Sequence, residues 1–213
     1  MTQVEPFNKY AIRYEEWFSK HSFVHKSELE ALRKLIPKTG RGLEVGVGTG
    51  RFAKPLGLIF GIEPSRSMSI YAQRRGIKIA LGTGENLPVK TGCFDFVLIV
   101  TTICFFDDTL KALREAERTI RPGGSIVVGM VNKTSPLGRF YLRNKNENVF
   151  YAEAEFYSVK EVLDMLTQVG FRQFSFTQTI FKSLDDNNNV EPVLEGFNKG
   201  SFVGIKGVKP PQP

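Results

Sequence analysis

At 213 residues, with 41% hydrophobic and 24% charged residues, 20 Gly and 11 Pro, the chain has a globular composition that excludes collagen-like, disordered and low-complexity scaffolds. Lys and Arg outnumber Asp and Glu by 29 to 22, a net charge of +7, but the cations are spread along the chain, which reads as a solvated positive surface and names no partner. The longest apolar stretch, residues 96–100, excludes a membrane helix, which needs roughly 20 apolar residues. The opening MTQVEPFNKY has no apolar signal-peptide core. Cys93 and Cys104 form neither a disulfide framework nor a metal motif. A cytoplasmic enzyme or binding protein is expected.

In chain order, Phe7, Tyr10, Tyr14, Trp17 and Phe18 fall at helical spacing and predict one amphipathic helix ahead of the first strand. Five apolar runs of strand length follow: GLEVGV (42–47), LIFGIE (58–63), IKIAL (77–81), FDFVLIV (94–100) and SIVVGMV (125–131). Such runs suit strands covered on both faces. Helices are expected between them at 51–56, 65–75 and 108–120, the last stopped by Pro122-Gly123-Gly124. Ser158 with Glu161 has the spacing of a capping box and opens another helix, ended at Gly170. An alternating strand (171–181), a polar loop and a last strand near 201–208 complete the pattern, and the tail KPPQP is expected to fray. Alternating βα units imply an α/β, doubly wound, mostly parallel sheet with an antiparallel edge.

The informative stretch is LEVGVGTGRF (43–52), in which Gly46, Gly48 and Gly50 lie between a strand and a predicted helix. Ligands bind such sheets at the carboxyl ends of the strands, near the point where strand order reverses. Arg51 stands where a dinucleotide fingerprint would place glycine. Glu44, beside the loop, would repel a pyrophosphate and suit a cationic ligand, while Glu63, at the end of the second strand, can accept both hydroxyls of a ribose. The pattern describes a nucleoside carrying positive charge rather than phosphates.

With LEVGVGTGRFA, GIEPSRSM, GTGENLP, FDFVLIVTTICFFDD and LREAERTIRPGGSIVVG in this order, the chain resembles the class I S-adenosylmethionine-dependent methyltransferases, in their small-molecule, type 11 branch. YSVKEVLDMLTQVGF matches the helix before strand six. The resemblance runs from about Phe7 to Val208 and implies a Rossmann-like seven-stranded sheet with an antiparallel last strand and an N-terminal helical cap. It implies one methyltransferase domain over 1–213: a cap (1–39), a cofactor-binding half (40–131), an aromatic-rich lid (132–157), a C-terminal half (158–208) and a tail (209–213). It also implies S-adenosylmethionine as cofactor, with S-adenosylhomocysteine as product. Glu44 and the loop from Gly46 to Gly50 would hold the methionyl end, and Glu63 the ribose. Pro64 and Met68 would pack by the adenine, and Gly84 and Glu85 would meet its edge. Thr101 would lie near the sulfonium, and Tyr14 nearest the cofactor. The family commonly has Asp where Thr83 stands, so here the adenine amino group would meet a neutral hydroxyl.

Methyl transfer from a sulfonium needs mainly positioning, and a base only where the acceptor arrives protonated. No catalytic residue and no metal site is assigned. His21 and His25, at i and i+4, lack a third ligand and read as surface or capping histidines, and Cys104 reads as a small buried hydrophobe. Residues 140–157 hold Phe140, Tyr141, Phe150, Tyr151, Phe156 and Tyr157. With Tyr10, Tyr14, Trp17, Phe105 and Phe106 they could wall a pocket for an apolar or aromatic small-molecule acceptor, or simply pack a lid on the core. The alternatives are an RNA methyltransferase, suggested by the basic charge, a non-catalytic S-adenosylmethionine-binding protein, and a nicotinamide dehydrogenase, disfavoured by Arg51 and Glu44. TTICFF after the fourth strand, rather than an NPPY-like motif, argues against methylation of nucleic-acid bases.

Overall fold

The computed structural model describes residues 4–211. Residues 1–3 of the predicted cap and 212–213 of the predicted tail lie outside it. The elements run α1 (Glu5–Lys9), α2 (Ala11–Lys20), α3 (Ser22–Arg33), β1 (Gly42–Val45), β2 (Phe60–Glu63), α4 (Arg66–Arg74), β3 (Lys78–Leu81), β4 (Phe94–Val100), α5 (Thr109–Thr119), β5 (Ile120–Val131), α6 (Pro136–Arg143), α7 (Val159–Gln168), β6 (Arg172–Thr179), β7 (Leu194–Glu195) and β8 (Phe202–Val208).

The strands form one sheet in the order β3-β2-β1-β4-β5-β8-β6-β7. The first five pair in parallel, and β8 joins β5 and β6 antiparallel. This is the doubly wound sheet that the alternating pattern predicts, with strand order reversing between β1 and β4. It has eight strands rather than seven. The extra one, β7, is two residues in the stretch beyond the polar loop, where Leu194 and Glu195 pair with Gln178 and Thr177.

Strand β4 shows why the sheet is buried on both sides. Val97 and Ile99 point into a core shared with Leu113 of α5 and Val162 and Leu166 of α7. Phe96, Leu98 and Val100 point to the other face, against Leu32 of α3 and Ala72 of α4. Side chains alternate across a strand, so a continuous apolar run feeds two cores, each large side chain contributing about 1.5–3 kcal/mol.

Three local expectations change. The single N-terminal helix is three helices, broken at Tyr10 (φ −117°, ψ 30°) and His21 (φ −111°, ψ 45°). Residues 51–56 form turns rather than a helix, with only scattered bonds such as Leu56 N–H to the Phe52 carbonyl (3.2 Å). Gly50 (φ 81°) before them and Pro55 and Gly57 (φ 79°) inside and after them keep a helical run from propagating. The Pro122–Gly124 turn lies inside β5, because α5 already ends at Thr119. The capping box at Ser158 forms as expected, with the Glu161 amide donating to the Ser158 hydroxyl and the Ser158 amide donating to the Glu161 carboxylate.

Candidate active site

The chain leaves β1 through a loop that glycine makes possible. Gly46 (φ 70°) and Gly48 (φ 54°) adopt left-handed backbone, which costs other residues roughly 1–2 kcal/mol. A Cβ on Gly46 would overlap Thr102, whose hydroxyl lies 3.1 Å from the Gly46 carbonyl and 2.9 Å from that of Val100. A Cβ on Gly48 would instead stand in the cavity, 3.5 Å from the Tyr14 hydroxyl and 3.7 Å from the end of Met68.

Glu63, at the end of β2, accepts hydrogen bonds from the Gly48 amide (2.8 Å) and the Ser65 amide (2.9 Å). Burial nonetheless raises its carboxyl to about 7, because the charged form is poorly solvated. Above this floor lies a cavity of about 380 Å³. The N-terminal helices roof it. The Ser65 hydroxyl donates to the Asn8 side-chain oxygen (2.7 Å), and Phe7 packs edge-on to Phe105 (5.1 Å) and against Phe150 (5.2 Å).

An ion cluster holds this roof. Glu15 of α2 receives Arg51 (2.6 Å), just after the glycine loop, and Arg75 (2.5 Å), just after α4. Burial pushes the Glu15 carboxyl up, but the two guanidiniums outweigh it and hold it below its ordinary value. Arg51, where a dinucleotide loop would carry glycine, thus anchors the helical cap.

Of the residues expected at a cofactor, Tyr14, Gly46, Gly48, Glu63, Pro64, Met68, Thr83, Gly84, Glu85 and Thr101 line the cavity. Glu44 and Gly50 do not. Glu44 is buried behind the loop, where it accepts the Ala53 amide, and its carboxyl is pushed well up by burial. Gly50 faces Ile77 and Ala72. Glu85 also accepts the Asp107 amide (2.8 Å), tying the loop after β3 to the loop after β4. Thr101 holds φ 50° at the end of β4, a strained backbone at the point where strand ends face a ligand.

The aromatic set divides. Trp17, Phe105, Phe106, Tyr141, Phe150 and Tyr151 line the cavity together with Tyr14. Phe140 is half exposed, Tyr157 meets the Thr109 hydroxyl (3.0 Å), and Phe156 packs with Cys104 and Ala154. The Cys104 thiol is buried and pushed up to about 12. His25 is no surface histidine: it lies between Phe18 and Phe52, 3.1 Å from the Arg51 carbonyl, and burial lowers it to about 4. His21 ends α2 against the Trp17 ring. Glu28 lines the cavity too. The one available signal for it was a carboxylate four residues from both Val24 and Leu32, on the buried face of α3.

Residues 43–128 match the family model described as methyltransferase domain. Over 96% of its length the chain superposes on 99% of an S-adenosylmethionine-dependent methyltransferase from Thermotoga maritima, with a TM-score of 0.94 and 47% sequence identity. The chain is an S-adenosylmethionine-dependent methyltransferase. An uncharacterised protein of Methanocaldococcus jannaschii is 46% identical over 203 residues, covering 95% of this methyltransferase and 98% of the relative. The fold is shared at 16% identity and a TM-score of 0.61 with Haemonchus contortus phosphoethanolamine N-methyltransferase 2, solved with phosphomonomethylethanolamine and S-adenosylhomocysteine, of which 52% is covered.

The cavity of this methyltransferase fits its cofactor. Gly48 leaves open the space that a Cβ would fill between Tyr14 and Met68, and Glu63 lines the same cavity. The cofactor supplies a methyl group on a sulfonium whose leaving group is already built in. Among the described residues no helix is long and apolar enough to cross a membrane, and no cluster of three or more His, Cys, Asp or Glu could hold a metal.

Proposed function

We propose that this methyltransferase acts on a small organic acceptor, taken up at the aromatic end of the cavity. The lining carries the reading: one cavity extends from Gly48 and Glu63 to Leu137, Tyr141 and Tyr151. In this reading Glu63 accepts the ribose hydroxyls, and Pro64 and Met68 pack on the adenine. Thr83, Gly84 and Glu85 meet the adenine edge, and Tyr14 and Thr101 flank the methionyl end. Gly46 shapes the loop, while Glu44 and Gly50 act from behind it, Glu44 by fixing the Ala53 amide. Orientation of this kind can lower a barrier by about 7–11 kcal/mol.

The Thermotoga maritima relative is described as a possible histamine N-methyltransferase, an activity on a small molecule that agrees with such a pocket. RNA as acceptor is disfavoured because Arg13 is the one Lys or Arg among the described lining residues, whereas a phosphate backbone calls for several cations. The test is formation of S-adenosylhomocysteine from S-adenosylmethionine, followed over a panel of small amines, phenols, thiols and carboxylates beside total RNA. Turnover with a small molecule is expected. Turnover with RNA alone would overturn the reading, and cofactor binding without turnover on any acceptor would favour a binding protein.

A further inference from the structure

We propose that Glu28 receives the acceptor as a cationic amine and takes its proton, which makes it the base of the reaction. This rests on the small-acceptor reading above.

The other buried or half-buried carboxylates around the site either hold the fold or lie outside the cavity lining. Glu63 accepts two backbone amides, half-buried Glu15 binds two arginines, and Glu44, whose buried Oε2 also has no partner, lies behind the glycine loop and does not line the cavity. Away from the site, Glu191, 4% exposed, accepts the Phe181 amide (2.7 Å). Glu28 is equally buried, at 5% exposure, and faces the cavity. Burial alone raises its carboxyl, to about 8, with neither a hydrogen bond nor a cation to offset it. A buried carboxyl without a partner is costly. No contact made by the Glu28 side chain in the fold explains that cost, whereas a cationic ligand would.

The surroundings suit such a ligand. Tyr14 of α2, Tyr141 of α6 and Tyr151 of the lid all feel the Glu28 charge, which opposes ionisation of their phenols. Where β6 and β8 pack on α3, the groups brought up are Thr177, which donates to the Ala31 carbonyl, and Gly204. From β5 comes Gly129, beside Leu32. Arg13 of α2 lines the same cavity without offsetting the Glu28 burial. Three tyrosine rings and a carboxylate that lines the same cavity are the groups that attract an ammonium ion.

The chemistry balances. The acceptor enters as R–NH3+, and the Glu28 carboxylate takes one proton, which frees the nitrogen lone pair. The N–C bond forms as the methyl–sulfur bond breaks, with its electron pair left on sulfur. The product departs as R–NH2+–CH3, and Glu28 returns its proton to water.

The test is calorimetric and needs no turnover. Protein saturated with S-adenosylhomocysteine is titrated with 2-phenylethylamine and n-butylamine, and with 2-phenylethanol and n-butanol, at pH 7 in phosphate and in Tris. We expect at least one amine to bind about tenfold or more tighter than its alcohol, releasing about one proton as Glu28 ionises to meet it. Glu28→Gln should abolish both the preference and the proton release, while Glu28→Asp keeps part of each. Binding of neither amine, equal binding of amine and alcohol, or unchanged amine binding in Glu28→Gln would overturn the proposal. An S-adenosylhomocysteine thermal shift retained in Glu28→Gln separates this failure from failure of the cofactor site. Should Glu28→Gln not fold, the preference and proton release of the wild type decide.

Discussion

The Glu63 carboxylate and the Gly48 amide, 2.8 Å apart, join the end of β2 to the loop that leaves β1. The left-handed backbone at Gly48 (φ 54°) belongs to the turn that brings this amide to the carboxylate. The second Glu63 oxygen holds the Ser65 amide, and Ser65 caps α4 and reaches Asn8 of the roof. One side chain therefore orders floor, helix and roof of the cavity together.

Glu63→Ala should accordingly lose cofactor binding. A ligand at 100 times its dissociation constant stabilises by about 2.7 kcal/mol, or roughly 5–10 °C for a chain of this size. That shift with S-adenosylhomocysteine should be present in the wild type and absent in Glu63→Ala. A full shift in the variant would remove Glu63 from the binding site.

The two loop glycines should separate in their effects. Gly46→Ala places a methyl group on Thr102 and should lower stability by about 2–4 kcal/mol, combining left-handed strain with overpacking. Gly48→Ala meets Tyr14 and Met68 only at ordinary contact distance, so it should cost about 1 kcal/mol of stability but most of the affinity for S-adenosylhomocysteine. Denaturant melts beside calorimetry distinguish the two.

Stability should fall as the pH rises toward 8, in part through Glu28. Its folded carboxyl is raised to about 8, against an unfolded value of ~4.3. The folded state thus binds more protons between those values, and its advantage is lost as the pH climbs through them. Glu28→Gln removes that loss, so its stability relative to the wild type should grow between pH 5 and pH 8.5 in urea melts. A constant difference would mean that Glu28 titrates normally.

Glu15→Gln should loosen the roof. It leaves Arg51 and Arg75 without their shared carboxylate, at a cost of about 1–3 kcal/mol, and hydrogen exchange should quicken in α1 and α2. Because the folded Glu15 carboxyl lies below its ordinary value, the wild-type contribution should be complete above the unfolded pKa. It should disappear only as acid titrates the lower folded value.

Local pattern made the βα core legible, because the apolar runs that became β1, β2, β4 and β5 bury both faces and show no competing period, while β3, at the sheet edge, stays partly exposed. The capping box at Ser158 and the glycine loop before Glu63 were likewise visible as spacing. The cap was less so. Phe7 to Phe18 keep one helical period through the break at Tyr10, which packing against α4 and the lid decides. The turns at 51–56 and the short β7 depend on partners far away in sequence.

Spacing along the chain carries the doubly wound sheet, the cofactor class and most of the residues that line the glycine-loop end of the cavity, since strand, glycine turn and carboxylate follow one another within a few positions. It took the packed chain to bring Glu44 behind the loop, to make Arg51 an anchor for Glu15, and to leave Glu28 facing the cavity unpaired. Those three are charged side chains, whose roles depend on burial and on partners brought from distant segments. Burial and pairing are properties of the packed molecule, and spacing along the chain gives at most the face a side chain lies on, as for Glu28 between Val24 and Leu32, never its partner.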